Sequence, residues 1–212
     1  MPEDTVYRNA AEGDLIRIAQ IFMAAFPESI NHYIGHPIAP CLLADVFAIC
    51  LDSEPEAFFV AVADGRVAGY IFAPAHFGRV PRTALLHGHI CRMFFRWITG
   101  RYGIGIKPVG IAIKNWWQLL VEALEKELSC DARILSIAID PEYQGRHIGS
   151  GLLLTGLNYL KSLKVMQVRL EVRPENAPAV HLYEKSGFKT RGRTHDTQGD
   201  WLIMLKDTNK NG

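Results

Sequence analysis

Apolar residues in the first fifty positions recur at helical spacing. From Asp14 they fall at Leu15, Ile18, Ala19, Phe22 and Phe26, which marks one face of a helix, and Pro27 is expected to end it. A second helix is predicted after Pro40, with Leu43, Phe47 and Cys50 on one side. Ahead of both, "TVYRNA" reads as a short strand. The period then drops towards two: "AFFVAVADGRVAGYIFAPA" is a pair of β-rich runs around Asp64-Gly65, a strong hairpin signal.

Between about residues 76 and 131 the helical period returns. Leu86, Ile90, Met93 and Trp97 share a face of one predicted helix, with Arg92 and Arg96 placed elsewhere. Trp116, Leu119, Leu120, Ala123 and Leu124 form the wide apolar stripe of a second, joined to the first by the glycine-rich "GRYGIGIKPVG". Downstream, "RILSIAID" reads as a strand and is followed by a helix through Leu153, Leu157 and Leu160. "VMQVRLEV" is another strand. "NAPAVHLYEKSGF" is a short helix closed by Gly187, and "FKTRGRTHD" and "DWLIMLK" end the chain as strands. This order predicts an α/β (α+β) domain over residues 1–212 with a mixed sheet.

Composition narrows the classes. The 212 residues carry a formal net charge of +1, so no overall field advertises nucleic acid or an anionic surface. No apolar run is long enough to span a bilayer, and the polar, acidic start lacks the marks of a signal peptide. Cys41, Cys50, Cys91 and Cys130 have no metal-ligand spacing; they are expected to be reduced thiols in a cytoplasmic protein that holds no metal.

The stretch "DPEYQGRHIGSGLLL" from Asp140 puts three glycines between a strand and a helix. That is a design for holding phosphate, since a curled backbone and a helix start aim several N–H groups at one spot. A nucleoside-triphosphate loop is excluded because no Lys follows Gly149 or Gly151. A dinucleotide fingerprint is excluded because Leu154 stands at its third glycine. A glycine-rich strand-to-helix turn with no ligand is the plain alternative.

"IAIDPEYQGRHIGSGLL" resembles the acetyl-CoA signature Q/R-x-x-G-x-G/A of the GNAT superfamily of N-acetyltransferases, and "LEVRPENAPAVHLYEKSGF" resembles its late strand-helix segment. Both are most similar to bacterial ribosomal-protein alanine acetyltransferases. The resemblance implies the GNAT fold, a central mixed, mostly antiparallel sheet flanked by helices, with the segment at about 76–131 as a helical insertion between the third and fourth strands. It implies acetyl-CoA as co-substrate and a small-molecule or peptide amine as acceptor.

By the same resemblance, Gln144, Gly145, Arg146, His147, Ile148, Gly149 and Ser150 wrap the pyrophosphate with backbone N–H groups. Ile137, Ala138 and Ile139 offer main-chain contacts to the pantetheine arm and the acetyl carbonyl. His147 departs from the pattern, standing at the signature's first glycine. It is tolerable there with a negative φ and an outward ring.

Acetyl transfer needs a deprotonated amine, a stabilised thioester oxygen and a proton for the leaving thiolate. The resemblance implies Tyr183 as the acid, and a phenol with an ordinary pKa near ~10 suits that role. It implies Glu171 as the base, directly or through water; burial would have to raise it to make it effective. Tyr183 otherwise packs as a helix tyrosine. Asn176 either bonds the cofactor arm or caps the helix that begins at Ala177. His181, two residues from Tyr183, reads as a surface histidine.

The stripes of the insertion must bury against each other, the sheet or a second copy, so a lid over the acceptor side or a homodimer contact is expected. Arg92 and Arg96 read as a solvated face or as ligands for an acceptor carboxylate. A non-catalytic acyl-CoA sensor, or an interaction module on the same scaffold, is the alternative function.

Overall fold

The computed structural model describes residues 5–33, 38–103 and 132–208. The first strand, β1 (Val6–Asn9), leads to α1 (Leu15–Ala25), α2 (Pro27–Tyr33) and α3 (Pro40–Ser53). The predicted apolar face of α1 is buried at Leu15, Ile18 and Ala19 and half-buried at Phe22, and Ile21, outside that face, is fully buried as well. Pro27 ends α1 as expected but also begins α2, which the apolar pattern does not mark. A proline is tolerated at a first helical position because its missing N–H has no intrahelical partner to lose.

The hairpin is β2 (Phe58–Ala63) and β3 (Arg66–Phe72), joined at Asp64 and Gly65 with φ of 52° and 70°. These are the left-handed values a tight two-residue turn requires. Beneath it, Phe47 of α3 meets Tyr70 edge-on with ring centroids 5.3 Å apart, and Phe58 packs on Phe72 at 5.3 Å.

The first insertion helix proves to be two. Gly88, at φ 72°, separates α4 (Arg79–Leu86) from α5 (His89–Ile98), so Leu86 does not share a helix with Ile90, Met93 and Trp97. Nor are Arg92 and Arg96 a free solvated face. Arg96 donates to both carboxylate oxygens of the buried Asp45 on α3, and Arg92 lies 3.7 Å from one of them. Among the described residues Leu86, Phe94, Phe95 and Ile98 stay exposed. The second predicted helix, around Trp116, Leu119, Leu120, Ala123 and Leu124, lies outside the described residues, as do Trp117 and Cys130.

"RILSIAID" is not one strand. It breaks at Leu135 into β4 (Arg133–Ile134) and β5 (Ser136–Ile139). Then follow α6 (Ile148–Ser162), β6 (Gln167–Val172), α7 (Ala177–Lys185), β7 (Lys189–Asp196) and β8 (Gly199–Asp207). The break divides the sheet in two. One half runs β1-β2-β3-β5 and is antiparallel throughout; the other runs β4-β6-β8-β7, with β4-β6 its parallel pair.

Helix α6 packs across both halves through Leu152, Leu153 and Leu160, all buried with Ile71, Leu170 and Met204. Its approach to β3 is close because Gly156 has no side chain: a Cβ there would stand 3.0 Å from Ile71 Cδ1 and 3.2 Å from Ala73 Cβ. Glu54 locks the far end. Its buried carboxylate accepts from the N–H groups of Ala75 (2.8 Å) and His76 (3.2 Å) and from the Tyr159 hydroxyl of α6 (2.8 Å).

Candidate active site

The two half-sheets part at Leu135. Parallel pairing of β4 with β6 covers Arg133↔Arg169 and Ile134↔Leu170 and stops there, while β5 turns to pair with β3. A gap therefore opens between β5 and the end of β6, and strand phase decides what faces it. Asp140 N–H donates to Ala68, and Tyr70 pairs with Ala138. Alternation then directs the N–H and C=O of Ser136 and Ala138 to β3, and those of Ile137 and Ile139 to the open edge. The expectation for Ala138 is corrected: its main chain is taken up by the ladder. On the facing strand, Arg169 N–H donates to Ala132, so Glu171 is the next residue whose main-chain groups look into the gap.

Below the gap lies the glycine stretch. Pro141–Tyr143 makes a 3-10 turn capped by the Asp140 carboxylate, which accepts from Glu142 N–H. The chain then reverses through Gly145 (φ 79°) and His147 (φ 60°) before α6 begins. The negative φ expected of His147 is corrected. The curl needs a left-handed residue at this position, where the signature has glycine; histidine is one of the side chains enriched in that region. Its ring makes no cap and the residue is exposed.

Gln144, Gly145, Arg146 and Ser150 are exposed as well, while Ile148 is a core anchor at 2% exposure. Arg146 is turned back over the Tyr143 ring and towards Asp64. The first intrahelical bond is Gly151 N–H to the His147 carbonyl. The N–H groups of Ile148, Gly149 and Ser150 thus have no intrahelical acceptor, and they share the positive end of a fifteen-residue helix. That donor set fits a pyrophosphate. A Cβ on Gly149 would lie 3.7 Å from Ile139 and from Leu182, which puts this turn beside the gap.

Tyr183 lies on α7 in the core cluster with Ile148, Leu152 and Val172, and its ring meets Phe188 edge-on at 5.9 Å. Among the described residues its hydroxyl has no hydrogen-bond partner, and burial pushes the phenol up to about 12. The expectation of an ordinary phenol is corrected accordingly. Asn176 caps α7, its Oδ1 accepting from Ala179 N–H at 3.2 Å, which leaves its amide for other use. His181 is exposed.

Glu171 stands on the other face of β6 from Val172. There it accepts a hydrogen bond from Arg169 and lines an open pocket of about 240 Å³ with Leu135, Arg133 and Trp201. The two candidate acid–base groups therefore lie on opposite faces of the second sheet, with the gap as the route between them. The pocket wall is what sequence reasoning missed: Arg133, Arg169 and Trp201 fall on three separate strands. Alternation along β6 is the one signal that could have joined any of them to Glu171, and it reaches only Arg169.

The model of the acetyltransferase (GNAT) family matches residues 15–188, most of the chain and both sides of the gap. The chain belongs to the GNAT family of acetyltransferases. It is 27% identical over 139 residues to a mycothiol acetyltransferase of Acidothermus cellulolyticus, covering 66% of this chain and 32% of that protein. Over 84 residues it is 40% identical to a putative ribosomal protein bS18 alanine N-acetyltransferase of Bacillus subtilis, covering 38% of this chain and 56% of the relative. The chain thus spans about a third and about half of these two GNAT relatives. PH1933 of Pyrococcus horikoshii has the same fold, with a TM-score of 0.63 at 20% identity over 98% of this chain and 100% of that one. Among the described residues no helix is long and apolar enough to cross a membrane, and no group of His, Cys, Asp and Glu could hold a metal.

Proposed function

We propose that the chain moves an acetyl group from acetyl-CoA to a primary amine by direct transfer in a ternary complex. The observation that carries this reading is the gap between β5 and β6, with an uncapped helix start at its foot. Acetyl-CoA supplies the thioester. The N–H groups around Gln144–Ser150 hold the pyrophosphate. Ile137 and Ile139 offer main-chain groups to the pantetheine arm and the acetyl carbonyl, and Asn176 has a free amide for the same arm.

Glu171 takes the proton that the ammonium must lose, directly or through water, so that nitrogen can attack the carbonyl carbon. Tyr183 gives its proton to sulfur as the C–S bond breaks, and the second proton that nitrogen sheds as the amide forms passes through water to restore the phenol. At about 12 the phenol holds its proton throughout the neutral range, so the proton is there to give, and the same burial makes it a weaker acid than an exposed phenol. The two relatives carry unlike molecules in their names, mycothiol and a ribosomal-protein alanine, so the acceptor has to be read from this chain's own pocket.

The test is a panel of primary amines with acetyl-CoA, following released thiol. Turnover on at least one amine class is expected, with no acetylated enzyme trapped when the amine is left out. Tight CoA binding with no turnover on any amine would establish the sensor reading instead.

A further inference from the structure

Pocket chemistry points to the acceptor. Arg133 and Arg169 face each other across β4 and β6, and Trp201 stands on β8. Two of them have a cation–ring contact: the Arg133 guanidinium lies 4.1 Å from the Phe77 ring centre, and Arg173 lies 4.8 Å from that of Trp201.

Two donors at this wall are unused among the described residues: the Nε of Arg169 and the Nε1 of Trp201, both buried. Arg169 spends its Nη2 on Glu171, which leaves its Nε–H. Both groups can only donate, and a buried donor without an acceptor is a standing cost that a ligand oxygen removes. The same wall carries anions. Glu171 lies beside Arg169, and Asp196 completes the pocket, so two cations and two anions line one small space.

An amine without a carboxylate would, as its ammonium, satisfy Glu171 alone. A compact zwitterion satisfies both signs, its ammonium at Glu171 and its carboxylate on the Arg169 fork and the Trp201 N–H. Arginine suits this because its planar fork matches a carboxylate with two parallel bonds. The pocket, about 240 Å³, admits a free amino acid. We infer that the acceptor is a free α-amino acid, or another small amine with a carboxylate a few bonds from its nitrogen, selected by Arg169 and Trp201. The inference rests on the acetyl-transfer reading for the identity of the reacting amine.

The test titrates the CoA-loaded protein with leucine, phenylalanine and aspartate, each against its α-carboxamide. At least one acid should bind tenfold or more tightly than its amide, the size expected for one charge-assisted contact. Arg169→Gln should bring that ratio close to one and leave CoA affinity within about twofold. Trp201→Phe keeps a ring beneath Arg173 and should cut the ratio severalfold; it decides the matter if the arginine variant does not fold. Amides that bind as well as acids, no acid binding at 10 mM (a concentration of about ten times a weak Kd of 1 mM), or a ratio unmoved in both variants overturns the inference. A wild type that fails to bind CoA in the first titration sinks the acetyl-transfer reading alone, because the acid-to-amide comparison is then run on the free protein.

Discussion

Arg96 of the insertion reaches both carboxylate oxygens of Asp45 on α3, at 2.5 and 2.7 Å, and Tyr102 donates its hydroxyl to the same carboxylate at 2.5 Å. Asp45 is 5% exposed and Tyr102 2%, so this is a buried anchor between α5 and the core. Asp45→Ala takes the carboxylate away from Arg96, from the more distant Arg92 and from the buried Tyr102 hydroxyl. It should cost roughly 2–4 kcal/mol, less than a wholly buried pair, because the Arg96 side chain is 31% exposed and can regain water. Urea unfolding measures the cost. A loss below about 1 kcal/mol would place the pair among surface contacts of little weight.

At Gly149 a Cβ meets only ordinary contacts at 3.7 Å, with no left-handed φ to strain it. Gly149→Asp should therefore fold, while setting a carboxylate among the N–H groups proposed for pyrophosphate. Acetyl-CoA affinity should fall more than tenfold, about 1.4 kcal/mol or more. Calorimetry on the folded variant checks it, and unchanged affinity would mean that the helix start is not the phosphate cradle.

His147 is a test of backbone conformation. Its φ of 60° costs any residue with a Cβ about 1–2 kcal/mol, partly offset in a glycine variant by the greater freedom of the unfolded chain. His147→Ala should thus be less stable than His147→Gly by about 0.5–1 kcal/mol. Equal midpoints in urea would show that the loop relaxes to a negative φ without loss.

Tyr183→Phe keeps the ring against Phe188 and removes the proton. A kcat loss of about 10²–10⁴-fold is expected, with the CoA dissociation constant nearly unchanged. Burial places the phenol at about 12, so the wild type should show no alkaline fall in rate from this group until well above pH 10. The sign for stability follows from the same shift. The folded value is raised above the unfolded one near ~10, so Tyr183's contribution is whole below that pH and is lost as pH climbs towards about 12. The Phe variant should lose that share of alkaline destabilisation. Full kcat in the variant would leave Tyr183 a packing residue.

Period and punctuation made much of this fold legible. The face of α1, the Asp64-Gly65 turn, and the strand–loop–helix run into α6 are local patterns, and local steric rules decide them. What stayed hidden depends on partners distant in sequence. Nothing in "RILSIAID" announces that Leu135 divides it, because the division depends on distant partners: β6 pairs only with the part before it, while Pro74, Phe72 and β3 hold the chain on the other side. Arg92 and Arg96 read as solvated because Asp45, fifty-one positions before Arg96, is invisible to a helical wheel. Gly88 fell inside an apolar period that runs on through it, and only its positive φ shows the break. In the site, the glycine stretch proposed for pyrophosphate was readable as a motif. Ala138 needed the strand phase, and Arg133 and Trp201 needed the second sheet to bring them to Glu171.

The break at Leu135 also sets a clock on synthesis. β5 is an edge of the first half-sheet, yet it leaves the ribosome 64 residues after Phe72, the residue that Ser136 must meet. At roughly 5–20 residues per second, β1, β2 and β3 wait about 3–13 s with the outer edge of β3 unpaired. Gly69, Tyr70, Ile71 and Phe72 are a short apolar edge of the kind that recruits stray strands. The nascent chain is thus most exposed to misassociation while its insertion is being made, and the step that ends this exposure is also the one that opens the gap between the sheets.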